Sequence, residues 1–154
     1  MFVLDTSAYI NGSRDHFFPD MVPGVWKLVE QSIDDGRVIL PRAVYVELCE
    51  KDDAAAELIK RHKKAVVDPT EEVQKLAGSF AAEFLEAPTR NAADPFILAE
   101  ARVRGFTVAT YEGRTYSGIP TKRWHTKMPG ICQHFGIPCC TFPEALKQLG
   151  LSLS

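Results

Sequence analysis

The sequence contains no apolar run approaching the roughly 20 residues that a membrane-spanning helix needs. Its opening, MFVLD, does not have the form of a signal peptide, because no Lys or Arg precedes the apolar residues and Asp5 interrupts them. The four cysteines include no CxxC pair, and Cys139 and Cys140 are adjacent, which is poor geometry for a mutual disulfide. We therefore expect a cytoplasmic protein with reduced thiols and no membrane partner.

An excess of positive charge is absent as well. The 18 Lys and Arg residues are outnumbered by 20 Asp and Glu residues, which gives a net charge of -2. A nucleic-acid partner would therefore be held by local basic patches rather than by the field of the whole protein. The sequence also lacks a glycine-rich phosphate loop and a GxSxG nucleophile motif, and its histidines and cysteines do not have the spacing of metal ligands.

Short apolar runs alternate with helical patterns along the chain. The 154 residues, 45% of them hydrophobic, predict a single domain over residues 1–154. The runs are too short for helices and show no polar alternation, which predicts strands that are buried on both faces of a parallel sheet. They are FVL (2–4), VIL (38–40), AVV (65–67), FTVA (106–109) and CCTF (139–142).

Helices are predicted between these runs. In residues 69–85, Thr70 has the position of an N-cap, and residues 94–105 open with Asp94 and Pro95 and end with Gly. The alternation predicts a three-layer α/β/α fold with a central parallel sheet. Residues 11–22 and 113–128 are polar and are predicted to be loops, the second long enough to be functional. The other predicted helices are 23–34, 41–50, 54–64, 129–136 and 143–150.

Four acidic residues fall near the predicted carboxyl ends of the strands, where open parallel α/β sheets bind their ligands. Like charges in one pocket raise one another's pKa values, and a divalent cation relieves that repulsion. Carboxylate oxygens suit Mg²⁺ or Mn²⁺. The hydroxyl groups of Thr6 and Ser7 would orient a carboxylate or a metal-bound water. The four candidate ligands are Asp5, Glu47, Asp94 and Glu112.

Each of these acidic residues also has a structural interpretation. Asp5 could cap a helix that begins near Ser7, and Asp94 could cap the helix that it opens. Glu47 could lie on the solvated face of an amphipathic helix, and Glu112 could be an ordinary loop carboxylate. Capping and metal binding are compatible, because a cap uses one carboxylate oxygen and a metal ion can use the other.

Two basic clusters are candidates for contacts with nucleic acid. KRHKK, residues 60–64, ends a predicted helix, where positive charge also complements the helix dipole. The second cluster combines basic and aromatic side chains, which suits phosphate contacts and base stacking. The alternative is a solubilising loop in which the Trp packs against the protein. The second cluster lies in the loop after the fourth strand and consists of Lys122, Arg123, Trp124, His125 and Lys127.

Three stretches stand in order along residues 2–112: VLDTSAYI, LPRAVYVELCE and AADPFILAEARVRGFTVATYE. Together they resemble the signatures of PIN domains, the fold of VapC-type ribonuclease toxins. The resemblance implies a parallel sheet of about five strands and a Mg²⁺- or Mn²⁺-dependent nuclease that acts on RNA. It assigns the acidic positions to Asp5, Glu47 and Asp94, and Thr110 ends the fourth strand beside them.

The sequence departs from that pattern in two places. Glu112 stands where the family usually has Asp or Asn, and the Asp-Phe that usually follows is missing. The long 113–128 loop and the segment MPGICQHFGIPCCTFPEAL are similar to a PIN-like branch found in bacterial genomes rather than to most toxins.

The resulting prediction is a metal-dependent endoribonuclease, the toxin of a bacterial toxin–antitoxin pair, with an antitoxin partner and a homodimeric assembly. One alternative is a PIN-like module that binds RNA or a protein without cleavage. Another is phosphoryl transfer on a small molecule, which commonly needs a second Asp two residues after the first, where Ser7 stands.

Overall fold

The computed structural model describes residues 1–51, 54–83, 93–111 and 127–151. Within these ranges the chain forms a parallel sheet of four strands in the order β2-β1-β3-β4, flanked by helices. Val3, Leu4, Val108 and Ala109 are all 0% exposed, which confirms the prediction of strands covered on both faces. The strands are β1 (Phe2–Leu4), β2 (Val38–Ile39), β3 (Thr107–Thr110) and β4 (Cys139–Thr141).

Eight α-helices surround the sheet in the described residues. In α2, Val25, Val29 and Ile33 form a buried face, as the helical spacing predicts. In α5, the Thr70 hydroxyl accepts a hydrogen bond from the Val73 amide at 3.2 Å, which confirms the predicted N-cap. The helices are α1 (Thr6–Asn11), α2 (Pro23–Asp34), α3 (Arg42–Cys49), α4 (Ala54–Lys60), α5 (Glu71–Glu83), α6 (Asp94–Arg104), α7 (Met128–Phe135) and α8 (Phe142–Gln148).

The prediction of about five strands is wrong by one strand in the described residues. The run AVV, residues 65–67, forms only an isolated parallel bridge between Pro41 and Val67. Lys63–Ala65 is wound into a 3-10 turn, so few residues remain to extend before Pro69. Because proline has no amide donor, it cannot continue the hydrogen bonding of a strand.

The prediction that residues 11–22 form a loop is also partly wrong. Gly12–His16 forms a π-helical turn that continues directly from α1. Polar and apolar residues do not alternate with a helical period here, so the sequence gives no helical signal. The turn is held by burial of Gly12 and Ser13 against the core.

The carboxyl ends of β1 and β3 meet at one edge of the sheet. Phe2 pairs with Thr107 and Leu4 with Ala109, and the Asp5 amide donates to the Ala109 carbonyl at 2.8 Å. Asp5 and Thr110, which follow the paired residues, are therefore neighbours although they lie far apart in the sequence. In the described part of the chain, no helix has the length and apolar character needed to cross a membrane.

Candidate active site

Asp5 is a buried carboxylate at the end of β1, with 1% of its surface exposed. Its backbone occupies the N-cap position of α1, but its side chain makes no capping hydrogen bond. Instead, Oδ2 of Asp5 accepts hydrogen bonds from the Thr110 hydroxyl at 2.8 Å and from the Ser7 hydroxyl at 3.0 Å. The capping interpretation of the Asp5 side chain is therefore wrong, and the carboxylate is oriented by two hydroxyl groups.

The Ser7 and Thr110 hydroxyl groups belong to one network. Their oxygens lie 3.1 Å apart, and the Tyr111 amide donates to the Ser7 hydroxyl at 3.2 Å. Ser7 comes from the first turn of α1, and Thr110 and Tyr111 come from the end of β3. The network therefore ties the two central strands together at the position of Asp5.

Glu47 reaches this edge of the sheet from α3. Its Oε2 accepts a long hydrogen bond, 3.4 Å, from the Thr6 hydroxyl, so the carboxylate lies against the residue that follows Asp5. Burial raises the pKa of Glu47 above its ordinary value, against the opposing effects of the Thr6 hydrogen bond and the Lys51 charge. Glu47 is half-buried, so its side chain is only partly solvated.

Asp94 is the first residue of α6, and Ala93 rather than Asp94 occupies the N-cap position. The prediction that Asp94 caps this helix is therefore wrong. Asp94 also affects the buried thiol of Cys132 in α7. A hydrogen bond with Cys139 and burial raise the pKa of Cys132, and the negative charges of Asp5 and Asp94 raise it further. Both carboxylates thus act on the same thiol from two different elements.

The structure accordingly brings most of the predicted acidic and hydroxyl residues to one edge of the sheet. Asp5 and Glu47 are connected through neighbouring residues of α1, and Asp5 and Asp94 share the environment of Cys132. Their donor atoms are all carboxylate oxygens, which is the chemistry that Mg²⁺ and Mn²⁺ prefer. Within the described ranges, no three His, Cys, Asp or Glu side chains are arranged as a metal site.

Of the other predicted site residues, one lies within the described ranges and five lie outside them. Those outside are Glu112, Lys122, Arg123, Trp124 and His125. Lys127 is exposed at the N-cap of α7.

Two of the five residues in the basic cluster at residues 60–64 are engaged with α2. Arg61 forms a salt bridge with Glu30 at 3.0 Å, and His62 contacts both Glu30 and Asp34 at 2.9 Å. Burial alone would lower the pKa of His62, but its hydrogen bonds to these two carboxylates raise it. Arg61 and His62 therefore have a structural role, since they join the end of α4 to α2, whereas Lys60, Lys63 and Lys64 are exposed.

Sequence reasoning missed two features near the site. Cys132 is fully buried beside Asp5 and Asp94, and no motif in α7 indicates that position. Glu100 of α6 is a buried carboxylate, at 2% exposure, and Arg104 pairs with it at 2.6 Å. The i,i+4 spacing of Glu100 and Arg104 is a visible signal of that pair. The negative charge of Glu100 is thus compensated by the positive charge of Arg104.

The parallel sheet with helices on its flanks and hydroxyl-bound Asp5 at its carboxyl edge defines a PIN-like fold. A chain of the solved structure of FitAB bound to an IR36 DNA fragment has this fold, with a TM-score of 0.54. The similarity covers 99% of this chain and 98% of that chain at 16% sequence identity, and it shows the fold alone.

The particular family is given by the sequence. A family profile matches residues 2–153, and the chain belongs to that family, which is described as a domain of unknown function, DUF4411. No curated protein matches the chain.

Proposed function

We propose that this protein is a metal-dependent endoribonuclease of the PIN type and the toxin of a toxin–antitoxin pair. The observation that carries the proposal is the buried Asp5 carboxylate, held by Ser7 and Thr110, with the carboxylates of Glu47 and Asp94 presented by neighbouring helices. The PIN-like fold and the resemblance to VapC-type toxins support the same activity, an antitoxin partner and a homodimer.

The residues have distinct roles in this proposal. Asp5, Glu47 and Asp94 would hold Mg²⁺ or Mn²⁺, with Glu112 as a fourth candidate. When bound, such an ion lowers the pKa of a coordinated water and stabilises charge on a phosphodiester. Ser7 and Thr110 hold Asp5 in one orientation, so the carboxylate needs no rearrangement to act as a ligand.

The raised pKa of Glu47 fits an anionic site that needs a cation. Burial disfavours the charged form of Glu47, and the negative charge of Glu50 adds to that effect. Asp5 and Asp94 are the other acidic residues of the candidate site. An RNA backbone would be repelled by this group of carboxylates. A bound cation would lessen this repulsion, which explains why acidic residues would stand in a nuclease site.

A binding module without cleavage is the second candidate function. It is favoured by the lack, among the described side chains, of three residues arranged as a metal site. The unusual Glu112 at the fourth acidic position also favours it. The two functions differ in whether the protein binds Mn²⁺ and whether RNA is cut.

The test compares RNA cleavage and Mn²⁺ binding in the wild type, Asp5→Asn and Asp94→Asn. Asp35→Asn is the matched control, because Asp35 is exposed and precedes β2, at the amino end of the sheet. We expect both site variants to lose cleavage by about 100-fold or more, with unchanged circular dichroism. Wild-type rates in Asp5→Asn and Asp94→Asn would refute the mechanism, and RNA binding without Mn²⁺ affinity or cleavage would favour the binding module.

A further inference from the structure

Aromatic rings form a continuous column from the core to the surface beside the candidate active site. The ring of Phe142 packs on Trp26 with a centroid distance of 5.8 Å, and the ring of Tyr111 meets Phe142 edge-on at 5.5 Å. The His16 ring then stacks on Tyr111 at 4.5 Å with an angle of 15° between the planes. Trp26 and Phe142 are buried, Tyr111 is half-buried and His16 is exposed, so the column ends in an exposed ring.

The base of this column is fixed by packing and hydrogen bonding. The indole of Trp26 donates to the Phe17 carbonyl at 2.7 Å, and the Phe17 ring lies edge-on to Phe142 at 6.2 Å. Gly12 permits this arrangement, because an added Cβ would lie 3.1 Å from both Trp26 and Phe142. A stacking surface supported in this way loses little conformational freedom when a flat ligand binds to it.

The column adjoins the site of Asp5. Tyr111 follows Thr110 at the end of β3, and its amide donates to the Ser7 hydroxyl that in turn donates to Asp5. The ring pair is thus attached to the network that orients the carboxylate. A nucleotide whose phosphate lies near Asp5 would have its base directed toward the rings of His16 and Tyr111.

We propose that His16 and Tyr111 form a stacking subsite for one nucleobase of single-stranded RNA, next to the candidate active site. This inference rests on the proposed function, since it assigns a place to the substrate of that site. Stacking requires an unstacked base, so the subsite favours single strands over duplex RNA. Every base has a π-face, so the subsite accepts all four bases with modest preferences.

The experiment measures fluorescence anisotropy of labelled single-stranded RNA in an Asp5→Asn background. The proposed mechanism predicts that this variant leaves RNA intact, and the substitution also removes one of the negative charges that repel the RNA backbone. His16→Ala is expected to weaken binding about 5- to 100-fold, the range of one base–aromatic stack. His16→Phe keeps a ring but removes the imidazole nitrogens, and it is expected to bind within about 2-fold of the parent. His134→Ala is the control, because His134 is an exposed histidine of α7.

A second arm identifies the base. RNA with one abasic nucleotide, moved along the strand, is expected to lose affinity at a single position, and this loss is not additive with His16→Ala. Equal binding by His16→Ala and the parent, a loss in His16→Phe as large as in His16→Ala, or no RNA binding at all would each overturn the subsite. Intact stacking in a protein that never cleaves RNA would instead refute the proposed function and leave the subsite standing.

Discussion

The Thr110 hydroxyl donates a 2.8 Å hydrogen bond to Asp5 in a buried environment, where loss of a partner is costly. We predict that Thr110→Val, which keeps the side-chain shape, lowers the free energy of unfolding by about 1–3 kcal/mol. Cleavage should also fall, because Asp5 loses one of the two hydroxyl groups that orient it. Urea denaturation and RNA cleavage assays measure the two effects.

The control for this change is Thr107→Val, at the amino end of the same strand. Thr107 is half-buried and pairs with Phe2 rather than with the residues around Asp5. We expect it to change stability by less than about 0.5 kcal/mol and to leave cleavage unaltered. A Thr110→Val protein as stable and active as Thr107→Val would show that the hydroxyl does not position Asp5.

For single residues of the site, some features could be predicted from the sequence and others could not. The order Asp5, Thr6, Ser7 at the end of an apolar run was enough to predict hydroxyl groups beside a carboxylate. It could not show that Ser7 binds Asp5 whereas Thr6 binds Glu47, because that depends on how α3 packs against α1. The wrong capping prediction for Asp94 has a similar cause, since a one-residue difference in the helix start decides which residue is the cap.

Among the structural elements, the π-helical turn Gly12–His16 depends on close packing at Gly12. A Cβ at this position would lie 3.1 Å from Phe142 Cε2 and 3.1 Å from Trp26 Cη2, closer than ordinary contact. We predict that Gly12→Ala destabilises the protein by about 1–3 kcal/mol, the usual cost of overpacking. Gly12 has an ordinary helical φ of −59°, so the cause would be packing and not backbone conformation.

The matched substitution in α5 should have the opposite sign. Gly78 is exposed inside this helix, and an added Cβ would meet no other atom of the described structure within 4 Å. Gly78→Ala is therefore expected to stabilise the protein by about 0.5–1 kcal/mol, the difference in helix propensity. Thermal unfolding of the two variants measures both changes in stability. Stabilisation by Gly12→Ala would contradict the packing of the aromatic column.

Elements with strong local signals were predicted well from the sequence. Helix α2 was predicted at residues 23–34 and is observed at Pro23–Asp34, because Pro23 and a clear apolar face mark it. The turn at Gly12–His16 was missed because it packs against residues that are distant in the sequence. Gly12 lies against Trp26 and Phe142, and His16 stacks on Tyr111. The strand predicted at 65–67 is observed as one isolated bridge, because Ala65 belongs to the preceding 3-10 turn.

In the whole molecule, the candidate ligands come from β1, α3 and α6, which are joined only through the folded core. An ion that binds the native state alone therefore stabilises the entire fold. At a Mn²⁺ concentration about 100 times the Kd, the gain is about 2.7 kcal/mol. In a domain of this size, that gain raises Tm by roughly 5–10 °C. We predict such a shift in the wild type and in Asp35→Asn, and its loss in Asp5→Asn, by differential scanning calorimetry.

The same Mn²⁺ titration should depend on pH in a defined direction. Because the pKa of Glu47 is raised, this carboxylate takes up a proton at a higher pH than an ordinary glutamate as the pH falls. Protons then compete with Mn²⁺, so the Tm shift should decrease as the pH falls from neutral into the acidic range. A shift that is equal in Asp5→Asn, or that grows as the pH falls, would mean that Mn²⁺ binds elsewhere on the protein.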